Sequence, residues 1–254
     1  MPLTGSGDFL SWSVFGGVVL GMLALDLGVF HKKSHEISVK EAVSWSVVWV
    51  ALALAFGAGL WWRQGSGPGL EFLTAYLVEK SLSVDNIFVF VMVFSAFGIP
   101  AVRQHRVLFW GVLGALALRG GFIVAGAALL ERFHWMLYVF GGLLAVTGLK
   151  MLLFKAEAED PSQSAAVRLA RRFIPATDKL HGDAFLIMEN GRRVATPLAM
   201  SLAAVEGADV VFAVDSIPAV FAVTLDPFIV YTSNVFAILG LRSMYFVLAG
   251  VVDK

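Results

Sequence analysis

The sequence predicts an all-α polytopic membrane protein, and three observations carry that reading. First, the 254 residues are 58% hydrophobic and only 15% charged, with a mean hydropathy of +0.80. A soluble domain is typically ~45–50% apolar and ~25% charged, so this chain has too little polar surface to cover a water-soluble fold. Second, the apolar residues gather into seven long stretches, each able to supply the ~20 residues a helix needs to cross a bilayer. Third, these runs are long and do not alternate, which favours helices over barrel strands. Lys+Arg (19) and Asp+Glu (19) balance, so no nucleic-acid or other strongly charged partner is implied. The chain has no Cys, and hence no disulfide or thiolate chemistry. No basic segment precedes the first apolar run, so no signal peptide is expected.

The predicted spans follow in order. Residues 10–30 form the first, with Asp26 inside it. Residues 42–62 form the second and end on Trp61 and Trp62. The third, 71–97, carries Glu79, Lys80, Asp85 and Asn86. The fourth, 105–130, carries Arg119, and the fifth, 134–154, carries Lys150. The sixth, 196–224, carries Glu206, Asp209, Asp215 and Ser216, and the seventh, 227–252, carries Asn234 and Arg242. Trp12, Trp61, Trp62 and Trp135 near predicted ends suit an interfacial aromatic belt. Three regions result: a membrane domain over 1–154, a loop over 155–195, and a second membrane piece over 196–254.

Loop charges set the expected orientation. With seven spans, one side holds only Arg63 and Arg132. The opposite side holds Lys32, Lys33, Lys40, Arg103, Arg106, Lys254 and the basic residues of the 155–195 loop. The positive-inside rule then places the N-terminus outside and the loop and C-terminal end in the cytoplasm. Within the loop, Ala166 to Phe173 reads as a short helix, and Asn190-Gly191 between apolar residues is a hairpin signal.

Carboxylates inside the membrane are the main functional clue. Each costs roughly 2.5–3.5 kcal/mol at the bilayer centre on insertion scales, so such residues usually face a cavity or a partner. The third and sixth spans place five acids, Glu79, Asp85, Glu206, Asp209 and Asp215, near mid-membrane, and Asn86 and Ser216 follow two of them. Carboxylate, amide and hydroxyl oxygens suit hard cations such as Mn²⁺, Mg²⁺ and Ca²⁺. Soft ligands are missing, and the five His lie in loops or at span ends. The bland alternative pairs the acids with Lys80, Arg119, Lys150 and Arg242 as bundle-holding salt bridges. Glu206 and Asp209, three apart, share a helix face, whereas Asp215 lies nearly opposite Glu206. One straight helix cannot aim all three at one point, so either the helix breaks or the sites succeed one another along a path. Asp26 is read as either a pathway ligand or a structural group, and Asn234 as either a pathway or an interhelical group.

The third and sixth spans form an inverted pair: each begins with an apolar turn and then places Glu and Asp at mid-span. Inverted repeats often build midplane ion sites at their interface. The second repeat ends one helix short at Lys254, so the bundle is expected to lack its last helices.

Several runs resemble the TerC/Alx family. They are Leu25-Asp-Leu-Gly-Val-Phe-His31, Glu79-Lys-Ser-Leu-Ser-Val-Asp-Asn86, Glu206-Gly-Ala-Asp-Val-Val-Phe-Ala-Val-Asp-Ser216 and Ser233-Asn-Val-Phe-Ala-Ile-Leu-Gly-Leu-Arg-Ser243. The run from His181-Gly182 to Ala195-Thr-Pro197 is similar too. The resemblance implies an integral membrane protein of the bacterial inner membrane or thylakoid, within the LysE-like transporter superfamily. It implies Mn²⁺ export in Alx-type members and an association with tellurite resistance. It also implies that Glu79, Asp85, Asn86, Glu206, Asp209, Asp215 and Ser216 are the site residues.

The expectation is therefore a divalent-cation efflux protein, with Mn²⁺ as the transported ion and no permanently bound cofactor. Its partners are the cation and the lipid bilayer, and an oligomer is possible but not predicted. No P-loop is present, and no enzymatic activity is expected. The alternative is a membrane assembly or stress-response scaffold without transport.

Overall fold

The computed structural model describes residues 8–30, 38–153, 160–189 and 191–252. Nine α-helices are described: α1 (Phe9–Phe30), α2 (Val39–Gln64), α3 (Ser66–Ala96), α4 (Ala101–Arg132), α5 (Met136–Leu153), α6 (Ala165–Phe173), α7 (Pro197–Phe221), α8 (Pro227–Leu239) and α9 (Leu241–Val252). A hairpin of β1 (Leu186–Glu189) and β2 (Arg192–Ala195) lies between α6 and α7. The chain is a mostly helical, polytopic integral membrane protein. Helices α1 to α5 and α7 fall on the first six predicted spans. By length and composition alone, Val39–Gln64, Ala101–Arg132, Pro197–Phe221 and Pro227–Gly250 each suffice to cross a membrane. Helix α3 is longer than most but interrupts its apolar surface with Glu71, Glu79, Lys80 and Asp85.

The helix ends have local causes. Ser38 caps α2 by accepting from the Glu41 N–H, the first half of a Ser-x-x-Glu box. Gly65, at φ 97°, turns the chain straight into α3, and a Cβ on Gly69 would sit 2.7 Å from Trp61 Cβ, so these two helices touch at the turn. Pro197 and Pro227 open α7 and α8 at first-turn positions, where no intrahelical N–H is needed. Asp226 caps α8 by accepting from the Phe228 N–H at 2.9 Å.

Helix α3 is the central element, packed against α2, α7, α8 and α9. Helix α8 is apolar almost all round and buried from Phe228 to Leu239 except at Tyr231, as a helix enclosed by α2, α3 and α4 should be. Phe56, Phe72 and Phe236 join α2, α3 and α8, with ring centroids 4.9–6.0 Å apart. Each such pair contributes ~0.5–1.5 kcal/mol beyond its buried area.

The seventh predicted span is one apolar helical stretch, Pro227–Gly250, interrupted for a single residue at Gly240 between α8 and α9, where the dihedrals stay helical (φ −79°, ψ −11°). A Cβ at Gly240 would lie 2.6 Å from Lys80 Nζ and 3.5 Å from Trp49 Cβ, so α2 and α3 press against the chain there. Both halves are apolar, so hydropathy does not reveal the interruption. Across it, Trp49 Nε1 donates to Ser243 Oγ at 3.0 Å and ties α9 to α2.

Between α5 and α7 the chain forms a 3₁₀ turn (Pro161–Gln163), α6 and the hairpin. Leu186 pairs with Ala195 and Glu189 with Arg192, leaving a two-residue connection at 190–191 in which Gly191 has φ 75°.

Candidate functional site

Helices α3, α4, α7 and α8 meet at Arg119. Its Nη1 donates to Glu79 Oε2 at 2.8 Å and its Nη2 to Asp209 Oδ1 at 2.9 Å, with all three side chains buried. Nη1 also reaches Asn234 Oδ1 at 3.1 Å and Ser216 Oγ at 3.3 Å. Asn234 Nδ2 closes the ring by donating to Glu79 Oε1 at 2.7 Å. One guanidinium thus serves two carboxylates, and the cluster keeps one net negative charge when both are ionised. Arginine suits this task because its planar fork supplies several fixed donors.

Beside this cluster lies a cavity of about 260 Å³ among α3, α4, α5 and α7. Glu79, Arg119 and Ser216 form one wall, and Asp85, Asn86 and Asp215 supply further oxygens. Asn86 Oδ1 is buried and has no hydrogen-bond partner among the described residues. Asp215 accepts only a long bond, 3.4 Å, from Thr147 Oγ1 of α5. Neither Asp85 nor Asp215 has a cation within 4 Å among the described residues. The wall therefore sets carboxylate, amide and hydroxyl groups among the apolar side chains of Leu82, Leu144, Phe212 and Ala219. Among the described residues, no group of three or more His, Cys, Asp or Glu side chains is gathered closely enough to hold a metal on its own. Any ion seated here takes the rest of its shell from Asn86, Ser83, Ser216, Thr147 or water.

Helix α7 is unbroken from Pro197 to Phe221, so its three acids point to three places. Asp209 turns to Arg119 and Asp215 to Thr147. Glu206 lies against Gly114 of α4, where any Cβ would overlap its carboxyl group. Glu206 Oε2 is buried without a hydrogen-bond partner among the described residues. Of the two arrangements the sequence left open, the broken helix is not the one formed.

The bases divide differently from expectation. Arg119 pairs with acids, but Lys80 does not: about 100° round α3 from Glu79, it faces α8 and donates to the Ala237 carbonyl at 3.4 Å. Lys150 is exposed near the end of α5 and has no carboxylate within 4 Å among the described residues. Arg242 is buried at the start of α9 and is not part of the cavity wall. The Asp26 side chain lies outside the described residues. Thr147 and Gly114 escaped the sequence reading. Thr147 is a lone hydroxyl in an apolar run, and a glycine reveals a close approach only once its neighbour is known.

Comparison with known proteins settles the family. The profile described as "Integral membrane protein TerC family" matches residues 64–254. The chain belongs to the TerC family. This TerC-family chain is 62% identical over 243 residues to "Uncharacterized membrane protein STKORF319" of Myxococcus xanthus, covering 96% of this chain and 76% of that protein. It is 49% identical over 257 residues to "Putative membrane-bound redox modulator Alx" of Escherichia coli (strain K12), covering 98% of this chain and 80% of that protein. An "Uncharacterized membrane protein" of Rickettsia bellii is 40% identical over 245 residues, covering 96% and 81%. No solved structure matches the chain.

Proposed function

We propose that this TerC-family protein carries divalent metal cations, Mn²⁺ foremost, out of the cytoplasm through the cavity between α3, α4, α5 and α7. The observation that supports this most is the cavity's wall. Among the described residues, Asp85 and Asp215 have no cation within 4 Å, and the buried Asn86 Oδ1 beside them accepts no hydrogen bond. Hard oxygen donors of this kind match Mn²⁺, Mg²⁺ and Ca²⁺ rather than soft metals. The preference for Mn²⁺ comes from the resemblance to Alx-type proteins. The loop-charge bias supports an outside N-terminus and a cytoplasmic 155–195 loop, in a bacterial inner membrane. The redox role in the name of the Alx relatives is not carried by thiols here, because the chain has no Cys.

The Arg119 cluster favours a second role for part of the acid set. Glu79 and Asp209 hold α3, α4 and α7 together, as a scaffold would require, while Asp85 and Asp215 stay available for an ion. The test is total manganese in Mn²⁺-challenged cells that lack their own exporters, with wild type compared against Asp215→Asn at equal membrane abundance. Lowered manganese with wild type and none with the variant is the expected result. Equal manganese with and without the wild-type protein would sink the proposal.

A further inference from the structure

Helix α6 lies beside the first part of α7. Ala166, near its start, sits against Gly207, where a Cβ would overlap its methyl group. Beyond its other end the chain is stitched to the strand that leads into α7. Ala195 N–H donates to the Pro175 carbonyl at 2.8 Å, and Thr177 N–H to the Ala195 carbonyl at 2.9 Å. The two helices therefore run antiparallel, with α6 beside the stretch of α7 from Gly207 back to Pro197, about 15 Å at 1.5 Å per residue. Helix α7 is long and apolar enough to cross a membrane. Its 25 residues make it about 37 Å long, against ~30 Å of hydrocarbon core. The excess leaves its ends among the headgroups, so the stretch beside α6 crosses the boundary between headgroups and acyl chains.

The sequence of α6, Ala165-Ala-Val-Arg-Leu-Ala-Arg-Arg-Phe173, divides its circumference in two. At about 100° per residue, Leu169, Phe173, Ala166, Ala170 and Val167 occupy one arc of roughly 160°, and Arg171, Arg168 and Arg172 span roughly 100° of the rest. The protein covers only part of the apolar arc. Val167 is fully buried and Ala170 packs on the same core, whereas Leu169 is 58% and Phe173 77% exposed. These two are four residues apart and form one apolar ridge along the uncovered edge. Helix α6 holds no Asp or Glu, and among the described residues none of its three arginines has a carboxylate within 4 Å. This is the distribution of a helix at a bilayer surface. Apolar side chains enter the acyl region, and arginine stems run along apolar surface while their guanidinium groups stay at the phosphates.

We infer that α6 is an interfacial anchor: Leu169 and Phe173 enter the bilayer beside α7, and Arg168, Arg171 and Arg172 bind the phosphates of anionic phospholipids in that leaflet. The occupant is the protein's own bilayer, because α6 is held against a membrane-spanning helix at headgroup level and its unpaired cations complement the lipids' negative charge. The guanidinium fork matches phosphate oxygens. The inference stands independently of the transport reading.

The chain has no Cys, so one introduced thiol reports on this face alone. Phe173→Cys, labelled with the dye NBD, is placed in nanodiscs of phosphatidylcholine with or without phosphatidylglycerol. The expected result is loss of emission to lipids that carry a doxyl quencher near the headgroup, and shielding from acrylamide in the water. Phosphatidylglycerol should increase the lipid quenching, and high salt should remove that increase. Arg168→Gln/Arg171→Gln/Arg172→Gln in the labelled protein should lose the increase. Arg168→Lys/Arg171→Lys/Arg172→Lys should keep it, because the charge carries it. Quenching by acrylamide without quenching by lipid would show that the helix faces water and would overturn the inference. Lipid quenching that is indifferent to phosphatidylglycerol and to the Gln variant overturns the headgroup site. If the Gln variant fails to fold, the labelled parent still decides: no response to phosphatidylglycerol or to salt there overturns the inference.

Discussion

Replacing Arg119 by methionine keeps most of the side-chain volume but removes the cation shared by Glu79 and Asp209. Both carboxylates are buried, and the ion pairs measure 2.8 and 2.9 Å. Breaking a buried pair by deleting one partner costs ~3–5 kcal/mol, because a charge is left unpaired in a poor solvent. Asp209→Asn is a much smaller insult. The Arg119 donors keep an amide oxygen to bond, and the cluster goes from one net negative charge to none. The loss is about 1 kcal/mol, the gap between a charge-assisted and a neutral hydrogen bond. At ~2–4 °C per kcal/mol for a chain of this size, Arg119→Met should melt roughly 5–15 °C below Asp209→Asn. The assay is thermal unfolding of the detergent-solubilised protein, followed by monodispersity after heating. Adding Glu79→Gln and Asp209→Asn to Arg119→Met should recover part of the loss, since no unpaired charge then remains. If Arg119→Met and Asp209→Asn melt together, the cluster does not hold two charged carboxylates, and the argument from buried ion pairs is refuted.

Five further outcomes are expected. Asp85→Asn and Asp215→Asn should melt close to wild type, because neither acid belongs to an ion pair among the described residues, while both should lose Mn²⁺ efflux in the cellular assay. Gly114→Ala should cost ~1–3 kcal/mol in the same melts, because its Cβ overlaps the Glu206 carboxyl. Gly121→Ala in the same helix meets nothing within 4 Å and should be neutral or stabilising by up to about 1 kcal/mol. Ser243→Ala removes the acceptor of the buried Trp49 N–H and should cost ~1–3 kcal/mol, with a shift in tryptophan emission as a second readout. Arg103→Ala should change the melt by no more than ~1 kcal/mol and less at high salt, because its partner Asp183 is 63% exposed.

The sequence by itself determined the class of the fold. A bilayer offers no hydrogen bonds to the backbone, so a chain this apolar must satisfy its own N–H and C=O groups, and long unbroken apolar runs do so only as helices. For the same reason the acids stood out: a carboxylate in an apolar run is a departure visible in one dimension. The hairpin at 190–191 was equally legible, because its turn chemistry is local. What only the tertiary structure decided is how distant groups divide the work. Arg119 meets Glu79 across 40 residues and Asp209 across 90, and no local pattern encodes that choice over Lys80, which is adjacent to Glu79 in the chain. The interruption at Gly240 and the seat at Gly207 are likewise silent in hydropathy. A glycine's meaning there comes from what packs against it: Lys80 and Trp49 at one, Ala166 at the other. Solvent sets which elements form, and that is written along the chain. Which acids are neutralised and which stay open to an ion depends on contacts between helices, and those exist only after packing.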